Sequence, residues 1–526
     1  MTDVKTKAGT REWIGLSVLV LGSLLITIDI GVLYFALPPI SEALKPSGTQ
    51  QLWIMDIYAF GLAGLMITMG WLGDKFGRRR MLMIGATVFG IASVCSAYSS
   101  SPGMLIGSRA LLGVGGAILT PTALALISNM FHNPKERKTA IAAFSGTISG
   151  GAAIGPILGG LLLGHFWWGS VFLINVPVML LLLILAPLVL PEFSNPSHGR
   201  LDVLGVLLSL AAILPLIWGI KELAVNGYSV TPLVALIAGA IFFIAFLLRQ
   251  RSTDSPLIDL SLFKARGFSG GVVINLLVML AFAGASLLTN QFLQLVLGYS
   301  ALKAALWSLA VSPVVGGATG VIAPLAHKVK PGNLLAGAMA VVAVGFGFLT
   351  QVHTSSGVWL VLAGSAGVGA GLVASKQIIN EIVVTSAPPE RAGSAVAVSE
   401  TFSEFGAALG VATLGSIAAA VFHKQMANVT APGLDTTALH AAHDTLGGTT
   451  AVAAQLPPSA GQTLISAGRT AFVNGLNLTA IVGVVGVAAL ALFFGFYLRR
   501  TPVLAGFPEP PAAPPMETSL AAEPAV

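Results

Sequence analysis

The sequence is poor in charge and in cysteine, and each shortage excludes a class of protein. Only 9% of its 526 residues are charged, against about 25% in a typical soluble domain. The single cysteine, Cys95, excludes an internal disulfide and a cysteine-based metal cluster. The eight histidines lack metal-ligand spacing, and the sequence contains no phosphate-binding loop or nucleophile–base constellation. It therefore indicates neither an enzyme nor a metal-binding protein.

Long apolar segments make up most of the sequence. Hydrophobic residues make up 55% of the chain, and a membrane-spanning helix needs about 20 mostly apolar residues. We therefore predict an all-α integral membrane protein. Its fourteen predicted spans lie at residues 13–37, 51–72, 81–98, 103–129, 138–163, 169–190, 203–221, 230–249, 268–297, 301–325, 333–351, 356–384, 391–421 and 472–498.

The positive charges predict the orientation of the chain. The first apolar run continues to Pro38, which is too long for the core of a cleaved signal peptide, about 7–15 residues. With these spans, 20 of the 27 Lys and Arg residues lie on the N-terminal side and 5, including Lys221, lie on the other. Because positive residues favour the cytoplasm, we expect both termini to be cytoplasmic. The net charge of +6 falls in short loops rather than in a patch for nucleic acid.

Four carboxylates lie inside otherwise apolar spans: Asp29, Asp56, Glu400 and Glu404. A charged side chain at membrane depth is costly unless it is paired, protonated or in contact with water, so such residues are candidates for function. Asp29, near mid-span, is predicted to be a substrate or proton carboxylate facing a central cavity. The alternative is a helix-packing acid paired with a neighbour. Asp56, near the outer end of its span, suits a proton site open to the outside or an interfacial hydrogen bond.

Glu400 and Glu404 are one helical turn apart and share a face. Since two like charges this close oppose each other, we expect one of the two acids to retain its proton, as proton coupling requires. The alternative is a salt bridge from one of them to Lys376 or Arg109, the basic residues inside spans. Arg109 could assist proton transfer or hold a carboxylate. Glu381, five residues after Lys376, does not share its face.

Aromatic and amide side chains near these acids are candidates for lining a cavity. Aromatic rings could contact a bulky cation through cation–π interactions, although packing or an interfacial position is the more common explanation for any one ring. The candidates are Tyr34, Trp53, Tyr58, Phe144, Asn275, Asn290, Gln291, Phe402 and Phe405.

The loop after the second span carries the most specific motif. Residues 70–80 read GWLGDKFGRRR. Its glycines allow close helix approach, and its aspartate can accept from a helix N-terminus or a basic group. The loop closely resembles the signature loop between the second and third helices of the major facilitator superfamily. The residues that carry this motif are Gly70, Gly73, Asp74, Gly77 and Arg78.

Two further motifs follow in the order expected for that superfamily. Residues 105–113, LIGSRALLG, resemble its fourth-helix motif, with Arg109 inside the membrane. Residues 151–160, GAAIGPILGG, resemble the fifth-helix motif of its antiporters, where small residues let helices pack closely. The residues of this helix-packing motif are Gly151, Gly155, Pro156, Gly159 and Gly160.

The fourteen-span drug–proton antiporters of the superfamily are the best match. Residues 53–58, WIMDIY, and 399–406, SETFSEFG, are similar to segments of bacterial pumps for quaternary ammonium compounds and dyes. The resemblance implies two pseudo-symmetric six-helix bundles of inverted three-helix repeats, with two extra helices between them. The implied divisions are a cytoplasmic N-terminus at 1–12, a bundle at 13–190, extra helices at 191–267, a bundle at 268–498 with an outer insertion at 422–471, and a disordered cytoplasmic tail at 499–526.

The resemblance implies a proton-coupled multidrug exporter of lipophilic cations that works by alternating access. Some of these pumps carry a further acid in the tenth span, and residues 301–325 contain none, so we expect mainly monovalent substrates. The expected partners are small cations, protons and the bilayer, with a monomeric chain, no nucleic acid and no cofactor other than the proton. One alternative is an exporter of an endogenous lipid, siderophore or other metabolite, since Lys376 and Arg109 would suit an anionic headgroup. The other alternative is a membrane scaffold or a membrane enzyme.

Overall fold

The computed structural model describes residues 8–131, 133–194, 202–226, 229–253, 260–326, 328–386, 392–429 and 436–497. These residues form eighteen α-helices and no β-strand, which confirms the predicted all-α class. The predicted C-terminal tail lies outside the described residues, as do the first seven residues of the predicted N-terminal segment.

The helices fall into two halves joined by two linking helices. The N-terminal half contains α1 (Thr10–Leu44), α2 (Gly48–Phe76), α3 (Arg78–Ala97), α4 (Pro102–Met130), α5 (Pro134–His165), α6 (Ser170–Leu173) and α7 (Asn175–Val189). The linking helices are α8 (Val203–Asn226) and α9 (Val230–Ser252). The C-terminal half contains α10 (Arg266–Gln291), α11 (Ala301–Leu309), α12 (Ser312–Ala326), α13 (Pro331–Leu349), α14 (Val358–Ser386), α15 (Ala392–Met426), α16 (Thr436–Asp444), α17 (Leu446–Ala453) and α18 (Pro458–Tyr497).

Most of these helices are long enough to cross a bilayer. Within the described residues, twelve segments have the length and hydropathy of a membrane span, and α2, bent by 51°, makes a thirteenth. Helix α5 has 32 residues, but its apolar part, Ile154–His165, is shorter. The chain is therefore a multi-pass membrane protein, and the predicted fourteen spans are compatible with its helices.

The structure differs from the sequence prediction mainly in the outer insertion. Helix α18 begins at Pro458 rather than at residue 472, and α15 continues to Met426. The short helices α16 and α17 lie between them. Hydropathy marks the part of a helix that crosses the bilayer, but alanine-rich sequence such as that around Ala460 and Ala467 continues the helix beyond it.

Close glycine contacts hold neighbouring helices together in each half. In the N-terminal half, a Cβ on Gly155 of α5 would lie 3.2 Å from the backbone oxygen of Ile28 in α1. In the C-terminal half, Gly406 of α15 contacts the backbone of Leu276 in α10 so closely that no Cβ fits. Helix α8 packs over the seam between the halves, where its Ile217 joins a buried cluster.

The two halves contact each other at the membrane end opposite the N-terminus. There, a Cβ on Gly160 of α5 would collide with the backbone of Leu302 in α11. On the other seam, a Cβ on Gly415 of α15 would lie 2.6 Å from the Leu52 side chain of α2. Helix α17 covers the same end, because its Gly447 packs against α1. The molecule is thus closed on this side.

Candidate functional site

Asp29 is the centre of a polar network that joins five helices of the N-terminal half. Its Oδ2 accepts from Arg109 Nη1 at 2.6 Å, and its Oδ1 accepts from Asn175 Nδ2 at 3.2 Å. Arg109 Nε donates to the backbone oxygen of Ile54, and Asn175 Nδ2 also lies 3.2 Å from Ser93 Oγ. One ion pair and its neighbours therefore connect α1, α2, α3, α4 and α7.

This network is sealed from solvent. The Asp29 and Arg109 side chains are each 1% exposed, and the guanidinium lies 4.9 Å from the ring centroid of Tyr58. A buried charge needs such a partner, because an unpaired one carries the full desolvation cost. The prediction that Asp29 faces a cavity as a free carboxylate is wrong for this conformation. The structure shows the alternative, a helix-packing acid paired with a neighbour.

Asp56 forms a second sealed pair, with Lys221 of α8. Lys221 Nζ lies 2.9 Å from Asp56 Oδ1 and 2.7 Å from Oδ2, and both side chains are 0% exposed. The same ammonium lies 3.9 Å from the centroid of the Trp53 ring. The site open to the outside that the sequence suggested for Asp56 does not agree with this geometry. Helix α8 continues to Asn226, past the predicted end of the span, and keeps Lys221 inside the protein.

A third group of charges, in the C-terminal half, is partly open. Lys376 Nζ of α14 lies 3.2 Å from Glu400 Oε2 and 3.2 Å from Ser403 Oγ of α15. The exposed fractions are 32% for the Lys376 side chain and 38% for that of Glu400. Because a charge facing lipid is costly, this exposure indicates a water-accessible space. The predicted alternative of a salt bridge between Glu400 and Lys376 is confirmed by this geometry.

Glu404, one turn beyond Glu400, faces the opposite half of the protein. It lies within electrostatic reach of Lys376 and Glu400 and of the hydroxyl groups of Tyr34 in α1 and Tyr58 in α2. Within the described residues, Glu404 has no ion-pair partner. We call Lys376, Glu400, Ser403 and Glu404 the C-terminal carboxylate site.

Hydrogen bonds and aromatic contacts hold α15 in position at this site. Asn275 of α10 donates to the backbone oxygen of Ser399 at 2.8 Å and to its Oγ at 3.1 Å. On the seam, the rings of Phe60 and Phe405 have centroids 6.1 Å apart, and Trp53 stands 6.4 Å from Phe60. An aromatic row therefore runs across the seam from α2 to α15.

The predicted lining residues separate into two sets. Tyr34, Trp53, Phe402 and Phe405 are half-buried. The buried set packs between helices instead: Tyr58, Phe144, Asn275, Asn290 and Gln291. Glu381 forms no ion pair within the described residues, and its backbone oxygen accepts from Thr385. Lys376 therefore pairs with Glu400 rather than with the acid nearest to it on its own helix.

The signature loop has the partner that its sequence predicted. Arg78 pairs with Asp74 at 2.6 Å and donates through Nη1 to the backbone oxygen of Ala125 in α4. Gly77 has a φ of +107°, a conformation that favours glycine, and a Cβ there would lie 2.6 Å from Glu192 Oε1. Glu192 also accepts from the backbone N–H of Arg79. The loop therefore ties α2 to α3, α4 and the end of α7.

The remaining motif glycines lie at helix contacts. Gly151 and Gly159 of α5 face Thr27 and Val32 of α1, as Gly155 faces Ile28. Pro156 lies 3.6 Å from the Cβ position of Gly31. In α2, the Cβ positions of Gly70 and Gly73 lie 3.6 Å from Pro121 and 3.4 Å from Thr122, both in α4.

Sequence reasoning named Arg109 as a residue that could hold a carboxylate, but it missed several other residues that complete these contacts. Lys221, Asn175, Ser93 and Glu192 each complete a contact described above, yet none belongs to a motif. Lys221 and Asn175 do carry one signal, because each is a polar residue within or beside an apolar run. Such residues face protein rather than lipid.

Comparison with known proteins identifies relatives over more than nine-tenths of the chain. The family model described as Major Facilitator Superfamily matches residues 19–411. The multidrug efflux pump LfrA of Mycolicibacterium smegmatis is 40% identical over 502 residues, covering 95% of this chain and 99% of LfrA. The methyl viologen resistance protein SmvA of Salmonella typhimurium is 33% identical over 489 residues, covering 92% and 98%. The tetracenomycin C resistance and export protein of Streptomyces glaucescens is 29% identical, covering 92% and 91%.

Solved structures share the fold at low sequence identity. A bacterial homolog of the human lysosomal transporter Spinster, in an inward-facing and unoccupied conformation, matches with a TM-score of 0.65 and 18% identity, covering 94% of this chain and 98% of that one. The nucleoside transporter NupG matches with a TM-score of 0.60 and 12% identity, covering 92% and 99%. The predicted arrangement of two helix bundles is thus confirmed.

Proposed function

The chain belongs to the major facilitator superfamily, and we propose that it is a proton-coupled antiporter that exports lipophilic, mainly monovalent organic cations. The observation that carries this proposal is the C-terminal carboxylate site. It places two acids and one lysine, partly exposed, on helices that span a membrane. Quaternary ammonium compounds and dyes combine one positive charge with apolar surface, which matches an acid beside aromatic rings.

The relatives support drug efflux as the general activity. LfrA is named as a multidrug efflux pump and SmvA as a methyl viologen resistance protein. The class of cation and the coupling to protons belong to our proposal and rest on the chemistry of Glu400 and Glu404. No further cofactor takes part in it, and the monomer is the working unit.

The proposed mechanism is alternating access between two sides of a bacterial inner membrane, with both termini cytoplasmic. In the conformation closed on the outer side, Glu404 releases its proton to the cytoplasm as a cation binds the ionised acid between the halves. The halves then rock at the seams between them, where α5 meets α11 and α2 meets α15. A proton from outside neutralises the acid and releases the cation. The signature loop, through Asp74 and Arg78, holds the N-terminal half together on the cytoplasmic side.

The number of protons determines the driving force. Exchange of one proton for a monovalent cation moves no net charge and is driven by the pH gradient alone. Exchange of two protons moves one charge, and the membrane potential then adds about 2.3 kcal/mol per 100 mV. Glu400 and Glu404 could supply one or both protons.

Efflux of ethidium from dye-loaded cells tests this function. We expect cells that produce the protein to export ethidium, a protonophore to stop the export, and Glu404→Gln to reduce it to the level of cells without the protein. Membrane abundance, measured by immunoblot, has to match between variants. Export that persists in the protonophore, or in Glu404→Gln, would contradict the proposal.

The second candidate is an exporter of an endogenous metabolite. It is favoured by the name of one relative, a resistance and export protein for tetracenomycin C. Arg109 is sealed in its ion pair and is not accessible to an anion, so Lys376 would have to bind an anionic group alone. A protein that moves no organic cation but does export a metabolite would support this candidate.

A further inference from the structure

The C-terminal carboxylate site holds two acids but one base. Lys376 Nζ is shared between Glu400 Oε2 and Ser403 Oγ, each 3.2 Å away. Glu404 is one turn further along α15 and within electrostatic reach of both charged neighbours. With both acids ionised, the site therefore carries one net negative charge.

The buried acids of the N-terminal half do not change this charge. Asp29 is matched by Arg109, and Asp56 is matched by Lys221, each at ion-pair distance and with at most 1% of either side chain exposed. A cation beside Glu404 thus meets two neutral pairs and one site of charge minus one, while Glu381 lies outside that site, on a different face of α14 from Lys376. The charge of that site depends on Lys376.

The net charge of a partly buried site limits the charge of its ligand. A monovalent cation beside Glu404 leaves the site neutral, whereas a divalent cation leaves one uncompensated positive charge. An unpaired charge away from bulk water is unfavourable, and the Lys376 ammonium also repels the second charge directly. Without Lys376, the two acids would balance a dication.

We propose that Lys376 determines substrate charge, admitting monovalent cations and rejecting divalent ones. The inference rests on the proposed function and adds to it a residue that sets specificity. It predicts that removing the ammonium changes which cation binds, rather than simply weakening binding. A lysine with only a structural role would not alter the preference between cations of different charge.

Equilibrium binding to the purified full-length protein tests this inference. The probes are ethidium, a monovalent cation, and methyl viologen, a divalent one, at one pH and one ionic strength. In Lys376→Gln, the affinity for methyl viologen relative to ethidium is expected to rise at least about tenfold over the intact protein, which corresponds to about 1.4 kcal/mol. Size-exclusion chromatography and thermal unfolding verify that each variant is folded.

Two control variants separate site charge from other effects. Lys303→Gln removes an equal charge from a lysine at the start of α11, where its Nζ lies 4.0 Å from the Tyr299 ring centroid, and should leave the relative affinity unchanged. The double variant Lys376→Gln with Glu400→Gln returns the site to one negative charge. Its preference should return to that of the intact protein.

The outcomes distinguish this inference from the proposed function. A relative affinity that does not change in Lys376→Gln, while ethidium still binds, would overturn the role of Lys376 and leave the cation exporter standing. The role of Lys376 would also be overturned if the double variant kept the increased affinity for methyl viologen relative to ethidium. An intact protein that binds neither probe would overturn the proposed function and this inference with it.

Discussion

The two halves of this transporter hold their membrane-embedded charges in opposite ways. In the N-terminal half, Asp29 and Asp56 are buried in one-to-one ion pairs with no contact with solvent. In the C-terminal half, Lys376 and Glu400 are about one-third exposed and share their surroundings with Glu404. The same kinds of group, carboxylates and basic side chains, thus have different roles in the two halves. Sealed pairs hold helices together, while an open, unbalanced site can exchange ligands and protons.

The largest expected effect is the loss of stability when a sealed pair loses one partner. Lys221→Met leaves Asp56 buried without a counter-charge, and such changes cost about 3–5 kcal/mol. Thermal unfolding in detergent should show a strongly destabilised protein. Adding Asp56→Asn to this variant should recover most of the loss, because no buried charge then remains. Equal destabilisation in the single and double variants would show that the pair is not the cause.

Glu404→Gln should have the opposite profile, with stability kept and transport lost. Among the described residues the carboxyl group has no ion pair to lose, so we expect a change in stability within about 1 kcal/mol. Ethidium efflux driven by a pH gradient in everted vesicles should fall to background. If Glu404→Gln unfolds the protein instead, the acid is a structural element like Asp29 and the contrast between the halves fails.

Close helix packing around the sealed network can be tested with a matched pair of glycines in α4. A Cβ on Gly113 would lie 2.6 Å from the backbone oxygen of Tyr58, whereas a Cβ on Gly107 would meet nothing within 4 Å. Gly113→Ala should therefore destabilise by about 1–3 kcal/mol. Gly107→Ala should be neutral or stabilising by up to about 1 kcal/mol, because alanine favours helix. Thermal unfolding of both variants measures the two changes in stability. Similar changes for Gly113→Ala and Gly107→Ala would contradict a role for close packing at Gly113.

The smallest expected effect is on the stability of the open pair. Lys376→Met breaks an ion pair that is partly solvated, and exposed pairs contribute about 0.2–1 kcal/mol. Its unfolding temperature should thus stay close to that of the intact protein, far above that of Lys221→Met. A loss as large as that of Lys221→Met would show that the C-terminal carboxylate site is sealed in solution.

The sequence predicted the all-α class and the loop motif because these depend on local patterns, whereas the helix bundles followed from the resemblance to the superfamily. Apolar length located the spans, and spacing placed Glu400 and Glu404 on one face. It could not predict which acids were sealed, since pairing of Asp29 with Arg109 and of Asp56 with Lys221 joins residues 80 and 165 positions apart. Only the packing of α8 against α2 shows that Lys221 is a buried partner rather than a loop residue.

Proton release on substrate binding tests the central contrast most directly. Ethidium would be added to purified protein in weakly buffered solution with a pH indicator. We predict that the intact protein releases protons and that Glu404→Gln releases none. The double variant Asp56→Asn with Lys221→Met, which removes a sealed pair without leaving a charge, should release as many as the intact protein. The assignment of proton exchange to the C-terminal half would be contradicted if the double variant released no protons. It would also be contradicted if Glu404→Gln released as many protons as the intact protein.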